Sequence, residues 1–392
     1  MTKLNDNIRI LGKGITALAL KEKFPNATLY DDNDFDKYDV NSNELTVVSP
    51  GIPPYNNMVV KSKNIVSDYD LFESMIPFSI WISGTNGKTT TTQMTQHLLG
   101  QYNSVCGGNI GIPLSSMNEK SPIWILETSS FTLHYTNKAV PNIYILLPIS
   151  EDHITWHGSF EEYRTAKLKP LLMMKESDVA IIPYEFKDIK TAAHLITYKN
   201  SEDLCEYFNI DKSQIKFKEP FLLDAILAMC TQKIIFDEID YDLINKFEID
   251  KHKVEEFKDK KNRLWIDDSK ATNIDATINA LVSYKDNNIH IILGGDDKGA
   301  NLIPLFENIK NLDIKVYAIG ANTNKIMNFC KEFFVNAEEC KYLNVAVEKI
   351  DKNLVQNSVA ILSPAAASLD QFKSYAHRGE EFKMLVNSLS LN

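Results

Sequence analysis

The chain has 392 residues, of which 44% are hydrophobic and 24% charged. That is the balance of a folded globular protein and excludes disorder, collagen-like repeats and a coiled coil as its main architecture. A net charge of −10 argues against a polyanion-binding surface, so no nucleic-acid partner is expected.

The first stretch, residues 1–75, reads as β-turn-α-β. A short apolar strand, Ile8 to Leu11, is followed by the turn GKGITA (Gly12 to Ala17), a helical stretch, and a strand ATLY that ends on Asp31 and Asp32. A further strand, ELTVV, closes on a turn at Ser49 to Gly51. Residues 76–250 open with the strand FSIWIS, run into GTNGKTTTTQMTQHLL, and continue with IWILET and NIYILLPIS. Apolar runs of this length bounded by polar turns suit the buried strands of a parallel sheet. The later part, 185–250, reads as polar and less periodic, the far end of this domain plus a linker. Residues 251–392 repeat one pattern: LWIDDSKATN, NIHIILGGDDKGAN, KVYAIGANTN and SVAILSPAAASLD are each a strand ending in a polar loop. The predicted fold is α/β in three domains with facing strand ends: Rossmann-like (1–75), a P-loop ATPase-like parallel sheet (76–250) and Rossmann-like again (251–392).

The longest apolar runs, such as Ile143 to Ile149, fall far short of the ~20 residues that span a bilayer. The N-terminus lacks a charged start followed by a long apolar stretch. No membrane partner and a cytoplasmic location are therefore expected. Cys106, Cys205, Cys230, Cys330 and Cys340 are odd in number and form no C-x-x-C, so neither a disulfide framework nor a zinc ribbon is indicated.

The sharpest motif is Ser83-Gly84-Thr85-Asn86-Gly87-Lys88-Thr89-Thr90. Glycines let backbone N–H groups face a phosphate, and the following helix adds its positive end. Lys88 can reach terminal phosphates, and the Thr89 hydroxyl can bind Mg²⁺. The spacing is shorter than the usual P-loop, because Ile82 stands where the first glycine belongs. Glu127 ends the strand IWILE, a position suited to Mg²⁺ or to plain solvation. His153 and His157 sit at i and i+4, but the glutamate of H-E-x-x-H is missing. One histidine assisting a magnesium site, or two packing histidines, fits better than zinc. GKGITA with Asp31 and Asp32 resembles a dinucleotide fingerprint, which keeps an NAD-dependent dehydrogenase or a non-catalytic nucleotide-binding module as rivals. The acidic run after Tyr30 is no EF-hand, since Lys37 occupies the glycine position.

Taken together, SGTNGKTTTT, GGNIGIP (Gly107 to Pro113), LETSSFTL (Leu126 to Leu133), SEDHITWHGSFEEYRTAK, DDSKATNIDAT (Asp267 to Thr277), LGGDDKGAN (Leu293 to Asn301) and LSPAAASLDQFKSYAHRGEEF (Leu362 to Phe382) resemble the Mur ligase family. The last three resemble its D-glutamate-adding branch rather than its sister ligases or folate-type polyglutamate ligases. The resemblance implies ATP-dependent formation of an acyl phosphate on UDP-MurNAc-L-Ala and its capture by D-glutamate, in peptidoglycan synthesis and by a monomer.

It also implies roles residue by residue. Gly84, Thr85, Asn86, Gly87 and Thr90 would cradle ATP, and Lys88 would hold the transferring phosphate. Thr89, Glu127, His153 and Lys167 would serve two Mg²⁺ ions, Lys167 as a CO2-derived carbamate. A carbamate forms from the neutral amine, which burial favours. Lys253, Asp268 and Lys270 would face ATP from the third domain. Thr272, Lys298, Ser368, Leu369 and Tyr375 would hold D-glutamate. Ile15, Thr16, Asp31, Asp32 and Ser49 would meet the UDP part, and Asn109 and Ser129 the muramoyl-alanine part. The sequence departs from the family where Pro220 to Asp224 replace an H-N-x-x-N segment that helps bind adenine. It departs again at His252-Lys253, where the family has His-Arg, and at Tyr375, where phenylalanine is common.

Overall fold

The computed structural model describes residues 8–390; residues 1–7, part of the segment read for an export signal, lie outside it. The chain forms two compact units. One runs to Phe217 and resumes over Phe221–Phe247, and the other comprises Lys218–Pro220 with everything from Glu248 onward.

The first unit holds two sheets. β1 (Ile8–Leu11), β2 (Thr28–Tyr30), β3 (Leu45–Val48) and β4 (Ile65–Val66) pair in the order β2-β1-β3-β4, all parallel. Parallel neighbours need a crossover, and the helix Ile15–Lys23 supplies the one between β1 and β2. The second sheet contains β5 (Phe78–Ser83), β6 (Ser104–Gly108), β7 (Ile123–Glu127), β8 (Ile143–Leu146), β9 (Val179–Pro183) and β10 (His194–Tyr198). Their order is β10-β9-β8-β5-β7-β6, and every pair is parallel. All residues of β7 and β8 are buried, the signature of a sheet covered on both faces. Ile8, Ile10 and Val47 of the first sheet share one apolar cluster with Trp81, Leu126 and Tyr144 of the second.

β5 lies between β7 and β8, so the chain leaves it first toward one edge and later toward the other. That switch opens a crevice beyond the carboxyl end of β5, where ligands of such sheets bind. The helix Lys88–Leu99 leaves β5 at that point and packs on the helix Phe221–Phe236. This second helix corrects the reading of 185–250 as polar and less periodic; it belongs to the same unit as the sheet. Leu222 and everything from Ala225 to Gln232 are buried in it. A helix buried on every side over its central turns carries no amphipathic stripe to detect.

The second unit contains β11 (Glu255–Lys258), β12 (Leu264–Asp267), β13 (Asn288–Leu293), β14 (Ile314–Ile319), β15 (Asn336–Lys341) and β16 (Ser358–Leu362). The order is β11-β12-β16-β13-β14-β15. Only β11 is antiparallel to its neighbour, making this a mixed sheet. Side chains alternate between faces along a strand. Accordingly Ile291 joins one core cluster with Phe306, while Ile292 joins another with Trp265, Tyr317 and Phe382. Among the described residues, no helix is long and apolar enough to cross a membrane.

Candidate active site

The loop Gly84–Gly87 owes its path to two glycines with positive φ, +141° at Gly84 and +83° at Gly87. A Cβ on Gly84 would stand 2.5 Å from Leu147 Cβ, and one on Gly87 would stand 2.6 Å from Asp224 Oδ1. Gly87 caps the helix Lys88–Leu99, so its amide end points to the crevice, as anion binding requires. Thr85 anchors the loop from below. Its N–H donates to Pro148 O at 3.1 Å, and its hydroxyl lies 2.9 Å from that of Tyr163. Four successive threonines follow Lys88 and stand at the helix start, where their poor helix propensity matters least. Thr90 and Thr91 are buried, and Asn86 and Thr89 are half-buried.

Two lysines converge on one carbonyl. Lys88 Nζ donates to Gly84 O at 3.0 Å and Thr85 O at 2.7 Å, and Lys167 Nζ donates to Gly84 O at 2.7 Å. Lys167 reaches the loop from the helix Phe160–Met173 and is 1% exposed. Burial first, and then the nearby Lys88 charge, hold its amine well below the usual lysine range. Glu127, at the end of β7, is also buried. Its Oε2 accepts the Thr89 hydroxyl at 2.8 Å and its Oε1 accepts Asn109 Nδ2 at 2.6 Å. The Thr89–Glu127 pair offers two hard oxygen donors side by side, the donor chemistry that suits Mg²⁺.

The two histidines part ways. His157 is buried, its Nε2 lies 2.9 Å from Ser130 Oγ, and burial pushes its pKa down to about 4. It is a packing residue. His153 has φ +54° at the start of the short helix Ile154–His157. It is exposed, 3.6 Å from Asp152 and edge-on to Phe131. Ser129 is spent locally, accepting Thr132 N–H at 3.1 Å as the cap of the helix Ser130–Tyr135.

At the first sheet, the carboxyl ends of β1, β2 and β3 bring Gly12, Asp31 and Ser49 to one edge. Ser49 N–H donates to Leu11 O at 2.9 Å, and Ser49 Cβ lies 2.7 Å from where a Gly12 side chain would begin. Asp32 Oδ1 accepts Asn56 Nδ2 at 2.7 Å, while Lys13 pairs with Asp31 at 2.7 Å and Asp34 at 2.9 Å. Ile15 is 76% exposed beside half-buried Thr16 at the start of its helix.

In the second unit, the candidate residues again crowd the carboxyl ends of parallel strands. Asp268 follows β12 and is buried. It accepts the Ser363 hydroxyl at 2.6 Å, and burial raises its pKa to about 7. Lys270 Nζ lies 4.0 Å over the Tyr375 ring, a cation–π contact. Lys253 pairs with Asp250 at 2.9 Å. The loop after β13 joins the loop after β16 through an Asp296–Ala367 bridge. This sets exposed Lys298, at φ +49°, on the loop partnered to buried Ser368 and exposed Leu369. Thr272, exposed, follows β12.

Arg378 was not singled out from the sequence. It is 1% exposed, and its guanidinium donates to Ser269 Oγ at 2.9 Å, Ser269 O at 2.8 Å and Ala366 O at 3.2 Å. It thereby ties the loops after β12 and β16 together. Among the described residues, the one three-residue cluster of histidine and carboxylates with metal-like spacing is His252, Glu255 and Asp267. It already holds a cation, for Lys383 Nζ lies 2.8 Å from Glu255 and 3.7 Å from Asp267.

Comparison with known proteins places the chain in a family. Residues 82–219 match the Mur ligase middle domain. A UDP-N-acetylmuramoylalanine–D-glutamate ligase of Campylobacter jejuni (strain RM1221) is 49% identical over 403 residues, covering 97% of this chain and 100% of the relative. The chain belongs to the UDP-N-acetylmuramoylalanine–D-glutamate ligase family. The corresponding ligase of Helicobacter pylori (strain HPAG1) is 45% identical over 417 residues, covering 97% of this chain and 99% of the relative. The fold matches the MurF ligase of Thermotoga maritima in complex with ADP, with a TM-score of 0.60 at 14% identity over 98% of this chain and 96% of that one. It also matches the UDP-N-acetylmuramate-alanine ligase MurC of Thermotoga maritima, with a TM-score of 0.55 at 16% identity over 96% of this chain and 98% of that one. Set against the Mur ligase pattern, the departure at Pro220 to Asp224 gains a structural meaning. Asp224 is 3% exposed and faces Thr91 of the helix Lys88–Leu99 and Gly87 of the loop before it.

Proposed function

We propose that this protein is an ATP-dependent ligase that joins D-glutamate to UDP-N-acetylmuramoylalanine, a step of peptidoglycan precursor synthesis. The observation that carries this reading is the joined set Gly84–Lys88–Lys167 and Thr89–Glu127, standing at the switch point of the central sheet. It occurs in a chain aligned almost end to end with ligases of that name.

A carboxylate oxygen is a poor leaving group. Transfer of the γ-phosphoryl of ATP to the alanine carboxylate gives an acyl phosphate and ADP. The amine of D-glutamate then attacks the carbonyl carbon. The tetrahedral intermediate loses a proton from nitrogen and expels phosphate, leaving the amide. Charge gathers on phosphoryl and carboxyl oxygens in both steps, so the protein's part is positioning and positive charge. Lys88 and the loop amides hold the terminal phosphates. Thr89 and Glu127, with His153, would hold Mg²⁺, which would screen the phosphate charge. Lys167 would carry a carbamate. Its buried, readily neutral amine is the form that combines with CO2, and the product is a carboxylate-like oxygen donor.

The strand-end residues Ile15, Thr16, Asp31, Asp32 and Ser49 receive the UDP part, and Asn109 and Ser129 border the muramoyl-alanine part. Lys253, Asp268 and Lys270 are assigned to ATP. Thr272, Lys298, Ser368, Leu369 and Tyr375 take D-glutamate. Each sheet with its helices is one of three domains. The test is incorporation of radiolabelled D-glutamate into a UDP-linked product. Label should enter only with ATP, Mg²⁺ and UDP-N-acetylmuramoylalanine all present. Incorporation without ATP would sink the acyl-phosphate route.

A further inference from the structure

Asp224 is a costly residue where it stands. It is 3% exposed in the first turn of the helix Phe221–Phe236, with Leu222, Ala225, Ile226, Leu227 and Ala228 buried around it. A buried carboxylate needs compensation that an apolar residue would not. The helix's own amino end supplies part of it. More comes from the neighbouring helix, where Thr91 Oγ1 lies 2.9 Å from Asp224 Oδ1 and 3.1 Å from Gly87 O. Asp224 Oδ1 also lies 2.6 Å from where a Cβ on Gly87 would stand. The carboxylate therefore touches the phosphate loop at its closing residue, the one held at φ +83°.

We propose that Asp224 is a positioning residue of the nucleotide site. Through the Thr91 hydroxyl and against Gly87 it fixes the last turn of the phosphate loop, and so aims the loop amides at the phosphates. This rests on reading the loop as the ATP site. It assigns the altered Pro220–Asp224 stretch a role in phosphate binding rather than in reading the base.

The test compares wild type with Asp224→Ala, Thr91→Val, the double variant and Asp224→Asn, each checked by thermal unfolding. KM is measured for ATP, GTP and both other substrates, and MgADP binding by titration. A charge-assisted hydrogen bond lost from such a site corresponds to about a tenfold to hundredfold weaker interaction. Asp224→Ala and Thr91→Val should each raise KM for ATP by that factor and leave KM for the other substrates unchanged. The double variant should be no worse than the poorer single one. Asp224→Asn keeps an acceptor oxygen and should stay within about threefold of wild type. Unchanged ATP KM in the single variants, additive losses, or no rescue by asparagine would overturn the proposal. A shift in the preference for ATP over GTP would also overturn it, by making Asp224 a base-reading residue. If wild type itself does not bind MgADP, the nucleotide reading of the loop fails first, and the role of Asp224 with it.

Discussion

Gly84→Ala is the substitution whose effect can be worked out most fully. The residue sits at φ +141°, where a side chain is strained, at about 1–3 kcal/mol. The added Cβ would stand 2.5 Å from Leu147 Cβ and 3.1 Å from Leu147 O. Leu147 cannot step back freely, because its N–H donates to Ser83 O at 2.9 Å, beside the pairing of β8 with β5. Crowding of this kind costs about another 1–3 kcal/mol. The sum, about 2–6 kcal/mol, is a large share of the ~5–15 kcal/mol that holds a typical protein folded. At about 2–4 °C per kcal/mol, Tm should fall by on the order of 5–20 °C. Gly158→Ala is the control. Gly158 has φ +87° but nothing within 4 Å of its added Cβ. Only the dihedral strain of about 1–2 kcal/mol applies there.

Stability is not the whole effect. The Gly84 carbonyl receives both Lys88 and Lys167, so moving it displaces both lysine side chains of the site at once. Calorimetric unfolding combined with phosphate release, assayed well below Tm and normalised to folded protein, separates the two effects. Gly84→Ala should lose more activity than folded fraction, and Gly158→Ala should lose neither to a comparable degree. A Gly84→Ala protein with wild-type Tm and full turnover would refute the reasoning.

Three further outcomes follow from the same geometry. Lys88→Ala should abolish ligation while the protein stays folded; near-normal turnover would remove the phosphate role of Lys88. Lys167→Ala should be severely impaired and partly restored by a short added carboxylate, whereas full activity without additive would exclude a carbamate there. Burial pushes the Asp268 carboxyl up to about 7, well above the ordinary aspartate value of about 3.9. The folded form therefore binds more protons between those values, and this group's contribution to stability declines as pH rises through that window. Asp268→Asn should gain stability relative to wild type in mildly alkaline buffer compared with acidic buffer. An equal difference in both would contradict the burial argument.

Much of this arrangement was legible in the amino-acid order because it is local. A strand running directly into glycines, a lysine and threonines specifies the loop Gly84–Gly87 and the helix after it by short-range chemistry. Polar clusters after each apolar run place the other candidates at strand ends. What escaped depends on contacts between distant segments. The helix Phe221–Phe236 is buried all round and shows no stripe. Asp224 gains its meaning only from Thr91, far away in the chain. His153 and His157 share an i, i+4 spacing, yet one is exposed and the other packs beneath Ser130. Arg378 could have drawn notice as one of few arginines in a lysine-rich chain. Its task of joining two loops is set by tertiary structure alone.

The central claim is that ATP drives addition of one particular amino acid. The most direct measurement is phosphate release from ATP and Mg²⁺ with UDP-MurNAc-L-Ala, comparing D-glutamate, L-glutamate, L-alanine and meso-diaminopimelate. Release with D-glutamate alone is expected. Release with another amino acid would keep the chemistry but void the roles given to Thr272, Lys298, Ser368, Leu369 and Tyr375. No release with any of them would contradict the ligase assignment itself.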